Sequence, residues 1–187
     1  MIEEGKYVLD IETTGLDPWR GDRITMIGVK PVGEEPIIFY DEDESIILKK
    51  FWDWIMKITE KGLSEECPTI ITKNGDGFDF PFLKVRTLIH DRVIGDLRIR
   101  SALIDHIMEM QSHIDLQIEL GQVEGQKTPS LNDMAKALGI PEKLGSGKDS
   151  PKLFWQGKID KLQEYLKRDL EVTEQIYIRA RPLLMRW

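Results

Sequence analysis

Cysteine is all but missing: Cys67 is the only one in 187 residues, which excludes an internal disulfide and a cysteine-based zinc cluster. Histidine is nearly as scarce, at three residues, and His106 and His113 lack a metal-ligand spacing, so both are read as structural. No apolar run is long enough to span a bilayer, so no membrane association is expected. The first ten residues, MIEEGKYVLD, are acidic and enter a strand-like run at once, unlike a secretory signal or a transit peptide. With almost no cysteine in use, these features lead us to expect a cytoplasmic protein. There is no internal repeat, low-complexity tract or long linker. Positive charge is also in short supply: 26 Lys and Arg against 33 Asp and Glu give a net charge of −7. That argues against a generic nucleic-acid coat, which is usually basic.

What is present suits a soluble globular chain, 41% hydrophobic and 32% charged, of a length that fits one domain with a real core. Lys6–Glu12 alternates, with Tyr7, Leu9 and Ile11 on one side and Val8, Asp10 and Glu12 on the other. A turn-rich stretch follows, punctuated by Gly15, Asp17-Pro18 and Gly21. Arg23–Val32 and Pro36–Tyr40 read as two further strands, and three strands joined this closely pair most simply as an antiparallel meander. Helical periodicity starts at Ser45, a candidate cap, with Ile47, Phe51, Trp54, Ile55 and Ile58 as its stripe. Pro68–Lys73 reads as a short strand, Phe80–Ile89 as a helix and His113–Leu120 as a strand. Ser130–Leu138 is expected to be a helix capped by Ser130 and stopped by Gly139 and Pro141. A long helix over Asp160–Arg179 carries the stripe Leu162, Leu166, Leu170, Thr173 and Tyr177. This order predicts an α/β layered domain: a mixed sheet with helices on its faces.

Three short segments bear candidate chemistry. Asp10 and Glu12, at i and i+2 on a strand, share a face and can hold one cation; the bland alternative is the solvated face of an edge strand. In Asn74–Asp79 (NGDGFD), glycines after a strand let backbone approach a ligand, while Asp79 reads equally as a helix cap. Asp76 is a lesser competitor for a metal role. Tyr165 and Asp169, at i and i+4 on the last helix, lie one turn apart on a face edged by Leu166 and Leu170. A carboxylate directed toward a core needs compensation of its charge; a partly exposed pair is the alternative.

Taken in order, DIETTGL, NGDGFD and YLKRD resemble the DEDD superfamily of 3′–5′ exonucleases, in its tyrosine-containing branch. The stretches HIDLQ, SLNDMAKALGIPEKLGSGKD and FWQGKIDKLQEYLKRDLEVT extend the likeness to the proofreading exonuclease domain of family B DNA polymerases. The resemblance implies a stand-alone exonuclease domain over residues 1–187, with no room for a polymerase domain. It implies a ribonuclease H-like fold, a mixed five-stranded sheet whose first three strands are antiparallel. It assigns Asp10, Glu12, Asp79 and Asp169 as metal ligands, with Tyr165 as the catalytic tyrosine. It places the terminal nucleotide at the Thr13 backbone, Leu16 against its base, and Asn74 and Phe78 beside the strand. For Phe78 core packing is an equal reading, and for Asn74 turn formation is the alternative.

Four carboxylates in one pocket need counter-charge, and hard oxygen ligands suit two divalent ions, Mg²⁺ or Mn²⁺. The expected reaction is two-metal hydrolysis of single-stranded DNA from its 3′ end, releasing nucleoside 5′-monophosphates. Tyr165, with an ordinary pKa near ~10, is expected to orient the attacking water rather than deprotonate it. Association with replication or repair proteins is a further expectation. The alternatives are an RNA-trimming exoribonuclease with the same site and an inert nucleic-acid-binding module on the same fold. Trp19 and Trp155 are candidates for stacking on unpaired bases, although scaffold packing is the preferred reading of both. Lys84, Arg86, Arg92, Arg98, Arg100, Arg179, Arg181 and Arg186 are lesser candidates for tracking phosphates.

Overall fold

The computed structural model describes residues 3–62, 68–95, 113–121, 127–141 and 149–184. Strands β1 (Lys6–Thr13), β2 (Ile24–Pro31) and β3 (Ile37–Tyr40) form the expected antiparallel meander. On the other side of β1, β4 (Thr69–Thr72) and β5 (His113–Asp115) add in parallel, giving the order β3-β2-β1-β4-β5. Parallel pairing needs a crossover, and the helix α1 (Glu44–Gly62) supplies the one before β4. The remaining described helices are α2 (Asp79–Ile89), α3 (Asp91–Ile94), α4 (Leu116–Glu119), α5 (Leu131–Ala137), α6 (Ser150–Trp155) and α7 (Ile159–Leu184). None of the described helices is long and apolar enough to cross a membrane.

The period-two alternation of β1 sorts its side chains into two cores. Leu9 and Ile11 pack with Ile27, Val29, Ile47, Phe51, Ile55 and Phe82, under α1 and α2. Val8 joins Met26, Ile71, Leu131, Leu162, Leu166 and Leu170, under α5 and α7. The predicted stripe of α7 is buried along its whole length, from Leu162 to Tyr177. Burying each such large apolar side chain contributes about 1.5–3 kcal/mol, and this face fixes the rotation of α7 against the sheet.

Several local details differ from the sequence reading. The cap of α1 is Asp43 rather than Ser45: its Oδ1 accepts from the Ser45 amide at 2.9 Å and the Ser45 hydroxyl at 2.8 Å. The Asp43 carboxylate, two residues upstream of Ser45, satisfies the Ser45 amide and draws its hydroxyl into the turn. The strand expected over His113–Leu120 stops at Asp115, whose side chain accepts from Gln117 N–H and starts α4. Arg86 does not face solvent: it is buried against Glu44, with Nη2–Oε2 at 2.5 Å, and donates to the Pro18 carbonyl. Trp19 and Trp155, read as scaffold, both stand in solvent. Arg179 and Arg181 are bound to the Leu138 carbonyl and Glu3 respectively, while Lys84 and Arg92 are exposed. Arg98, Arg100, Arg186 and His106 lie outside the described residues.

Candidate active site

The site is assembled on β1 at the level where its pairing with β4 has already ended. That pairing runs from Lys6–Thr69 to Val8–Ile71, whereas β1 continues to Thr13. Beyond Val8 one side of the strand therefore lacks a ladder partner among the described residues, and a buried amide there needs an acceptor. Asp79, the first residue of α2, supplies it: its Oδ1 accepts from the Ile11 amide at 3.2 Å. Ile11 lies between Asp10 and Glu12, so this bond fixes the register of both.

Asp10 and Glu12 project to the α7 side of the sheet, where Asp169 meets them. Carboxylate oxygens of Asp10, Glu12 and Asp169 all lie within 4.8 Å of one another. Glycine on the neighbouring strand makes this approach feasible. Gly28 is paired opposite Asp10, and a Cβ there would fall 2.7 Å from Leu170 Cδ1 and 2.9 Å from Leu166 Cγ. The two leucines flanking Asp169 thus sit directly on bare backbone, which draws α7 close to β1. Tyr165, one turn before Asp169, is also buried.

These groups line a cavity of about 930 Å³. Of the expected site residues, Asp10, Glu12, Thr13, Leu16, Asn74, Phe78, Tyr165 and Asp169 all line it. Asp79 does not line it and stands outside the three-carboxylate group. Nor is it the helix cap of the alternative reading, since its side chain is bound to β1. Phe78 lines the cavity and also packs on Phe82, their ring centroids 5.4 Å apart. Asp76 is apart from the group, facing His113 at 3.2 Å.

Burial pushes the Asp79 carboxyl up to about 7, partly opposed by its bond to the Ile11 amide. Burial, followed by the negative charges of Asp169, Glu12 and Asp10, holds the Tyr165 phenol far above its ordinary value. The phenol is therefore protonated at neutral pH and can donate a hydrogen bond.

Sequence reasoning missed two supporting groups. Asp115 accepts from the amides of Asn74 at 2.8 Å and Asp76 at 3.1 Å, and so pins the turn. Asn74 itself sits at φ 69, a left-handed conformation that asparagine tolerates better than most residues. The glycines of this turn serve its closure: a Cβ on Gly75 would fall 2.3 Å from Thr72 Oγ1, and one on Gly77 2.6 Å from Asn74 Oδ1. Lys73 is the second missed group, a cation lining the cavity. It sits at the end of a predicted strand, a legible position for a functional side chain, whereas Asp115 gave only a carboxylate inside an apparent strand.

Three carboxylates of this kind are a hard-oxygen donor set, suited to Mg²⁺ or Mn²⁺ rather than to softer metals. Like charges this close also need a counter-charge. The residues present fit a divalent cation.

This chain is similar to several known proteins. Residues 34–185 match the family model described as a predicted 3′–5′ exonuclease related to the exonuclease domain of PolB. The matched span includes the Asn74 turn and α7 but begins after β1, so Asp10 and Glu12 are joined to it by the structure. An uncharacterized protein of Methanocaldococcus jannaschii is 38% identical over 183 residues, covering 92% of this chain and 93% of its own. The family B DNA polymerase of the hyperthermophilic archaeon Pyrobaculum calidifontis superposes with a TM-score of 0.72 at 20% identity, over 95% of this chain. The chain spans only 24% of that polymerase. At that identity the match shows the fold, α/β of the ribonuclease H-like kind.

Proposed function

We propose that this chain, which belongs to the family of predicted 3′–5′ exonucleases related to the exonuclease domain of PolB, hydrolyses single-stranded DNA from its 3′ end. The products are nucleoside 5′-monophosphates, and the reaction uses two divalent cations, Mg²⁺ or Mn²⁺. The observation that carries this reading is the convergence of Asp10, Glu12 and Asp169 to within 4.8 Å beside Tyr165 in one cavity.

Asp10, Glu12 and Asp169 would hold the cations. When bound, these supply counter-charge for the carboxylates and Lewis acidity toward the scissile phosphate. Asp79, the fourth ligand of the proposal, would act on a cation through water, while its carboxylate accepts from Ile11 N–H and keeps Asp10 and Glu12 in register. Tyr165, a phenol with an ordinary pKa near ~10, orients the attacking water as a hydrogen-bond donor. Lys73 is placed to meet a phosphate oxygen.

Thr13, Leu16, Asn74 and Phe78 receive the terminal nucleotide: Leu16 wedges against its base, and Asn74 and Phe78 flank it. A cavity of about 930 Å³ is of the size that encloses a small molecule or a nucleotide and not a duplex, which favours an unpaired end. The proposed setting is the cytoplasm, alongside replication or repair proteins.

The test is digestion of matched 3′- and 5′-labelled single-stranded DNA and RNA with Mg²⁺, Mn²⁺ or EDTA. Metal-dependent shortening from the 3′ end, releasing 5′-monophosphates, is expected for DNA and is lost in Asp10→Ala without loss of fold. Faster shortening of RNA would reassign the substrate. Full activity in Asp10→Ala would overturn the site.

A further inference from the structure

Three large apolar side chains stand in solvent on the segments that border the cavity: Leu16, Trp19 and Trp155 are 83%, 66% and 69% exposed. Leu16 lines the cavity itself, and so does Pro151, one helical turn before Trp155 on α6. The segment bearing Leu16 and Trp19 is tightly built. The Asp22 carboxylate accepts from the Asp17 amide at 2.9 Å and the Thr14 hydroxyl at 3.4 Å. The Asp17 carboxylate accepts from the amides of Trp19 at 3.1 Å and Arg20 at 3.2 Å. A Cβ on Gly15 would fall 2.3 Å from Asp22 Oδ2, and from beneath, Arg86 donates to the Pro18 carbonyl at 3.0 Å. All this order holds a leucine and an indole in water, where neither gains from burial.

The turn is also tied to α6. The Arg23 guanidinium lies 5.1 Å over the Phe154 ring, and that ring meets Trp155 edge-on at 5.3 Å. Turn and helix are thus in contact, and each contributes a residue to the cavity lining, Leu16 from the turn and Pro151 from α6. Arg20 lies beside Trp19, and Lys152 and Lys158 lie on either side of Trp155, all three exposed. The pairs Arg20–Asp17 at 3.5 Å and Lys152–Asp149 at 3.8 Å are in solvent, where such contacts hold weakly and leave the cations open to a phosphate.

A chain of net charge −7 cannot hold a polyanion by its overall field. Exposed indoles can, because every base has a face on which to stack, whatever the sequence. We propose that Trp19 and Trp155 form a base-stacking rim that grips the unpaired strand next to the nucleotide seated in the cavity, with Arg20, Lys152 and Lys158 meeting its phosphates. This rests on the exonuclease reading and adds how the strand is held outside the cavity.

The test measures anisotropy of a short fluorescein-labelled oligo(dA) in EDTA with wild type, Trp19→Ala, Trp155→Ala, the double variant and the corresponding phenylalanine variants. Each alanine substitution is expected to raise Kd by roughly five- to a hundredfold, phenylalanine recovering most of it and melting temperatures holding. With Mg²⁺, the ratio of kcat/KM on the oligonucleotide to that on a dinucleotide is expected to fall in the alanine variants. Wild-type binding and ratio in the double variant, or no binding of oligo(dA) by wild type, would overturn the rim. Should wild type shorten no oligonucleotide while the alanine variants still lose binding, the exonuclease reading falls and the rim stands.

Discussion

Replacing Gly28 by alanine should disable the site from a strand that carries none of its acidic groups. Gly28 is paired opposite Asp10, and the added Cβ would lie 2.7 Å from Leu170 Cδ1 and 2.9 Å from Leu166 Cγ. Carbon atoms pack comfortably at about 3.5–4.0 Å, so the spacing falls short by about 1 Å. The Leu170 methyl can rotate away, but Leu166 Cγ is one bond from its own Cβ and moves mainly with the helix. Either α7 lifts from the sheet or both leucines leave their rotamers. Overpacking of this kind costs about 1–3 kcal/mol, which lowers the melting temperature of a domain this size by about 2–12 °C.

The lift falls on Asp169, which lies between the two leucines in sequence. A misplacement of about 1 Å at a reacting centre costs on the order of a hundredfold in rate. Activity is therefore expected to suffer more than stability. The assay pairs thermal melts, with and without Mg²⁺, with digestion of 3′-labelled single-stranded DNA at a temperature where both proteins are folded. Gly28→Ala should melt several degrees lower, gain less from Mg²⁺ and cut about a hundredfold more slowly. Adding Leu170→Ala opens space, so the double variant should be less destabilised than the sum of the two singles. A Gly28→Ala protein with wild-type melting and an unchanged response to Mg²⁺ would refute the idea that this glycine sets the spacing between α7 and β1.

Other perturbations probe the rest of the framework. In EDTA, Asp10→Asn removes one of three negative charges lying within 4.8 Å, so its melting temperature should rise while the gain from Mg²⁺ disappears; a lower melting point in EDTA would contradict the repulsion. Tyr165→Phe should lower kcat by about 10–100-fold, the worth of one hydrogen bond to a charged group, and leave the Mg²⁺-induced rise in melting temperature intact, and loss of that rise would show a structural role instead. Glu44 accepts from Ile24 N–H at 2.7 Å and from Arg86 and His90. Glu44→Gln leaves a buried guanidinium uncompensated and should cost about 3–5 kcal/mol in urea unfolding; a loss below about 1 kcal/mol would sink that reading. Burial pushes the His113 imidazole below its ordinary 6.5, against the opposing pull of Asp76 and Asp115. Near and below that pH the unfolded chain therefore binds more protons there, so His113 contributes stability that is full above 6.5 and fades as the pH falls. Asp79 titrates with the opposite slope, so the quantity to measure is the difference between wild type and His113→Gln from roughly pH 8 to pH 5; identical pH profiles would remove His113 from the account.

Much of the site was legible because its residues sit on strongly periodic elements. Alternation put Asp10 and Glu12 on the face opposite Leu9 and Ile11, and the 3.6-residue stripe put Tyr165 and Asp169 beside Leu166 and Leu170. Gly28 also left a readable mark, a glycine inside a strand pattern, which signals close approach of something to the backbone. The misreadings fell where side chains act outside periodicity. Asp43 displaced Ser45 as the cap of α1 because caps depend on backbone angles at one residue. Asp115 broke an apparent strand because its carboxylate serves two turns at once, one of them 41 residues away. Trp19 and Trp155 were assigned to the scaffold because large aromatics usually gain most by burial, and nothing local announces that an indole is held in solvent.

The sequence by itself determined the order of elements, the two buried faces of the sheet and the list of acidic residues, since each follows from patterns spanning a few residues. Only the tertiary structure decided which of those acids share a pocket. Asp10, Glu12 and Asp169 come together because α7 rests on the bare backbone of Gly28. Asp79 stands apart because β1 outruns its pairing with β4 and leaves the Ile11 amide in need of an acceptor. Both are consequences of how strands and a helix meet in space: a glycine in a strand signals close approach, but not which helix approaches or which acids it brings.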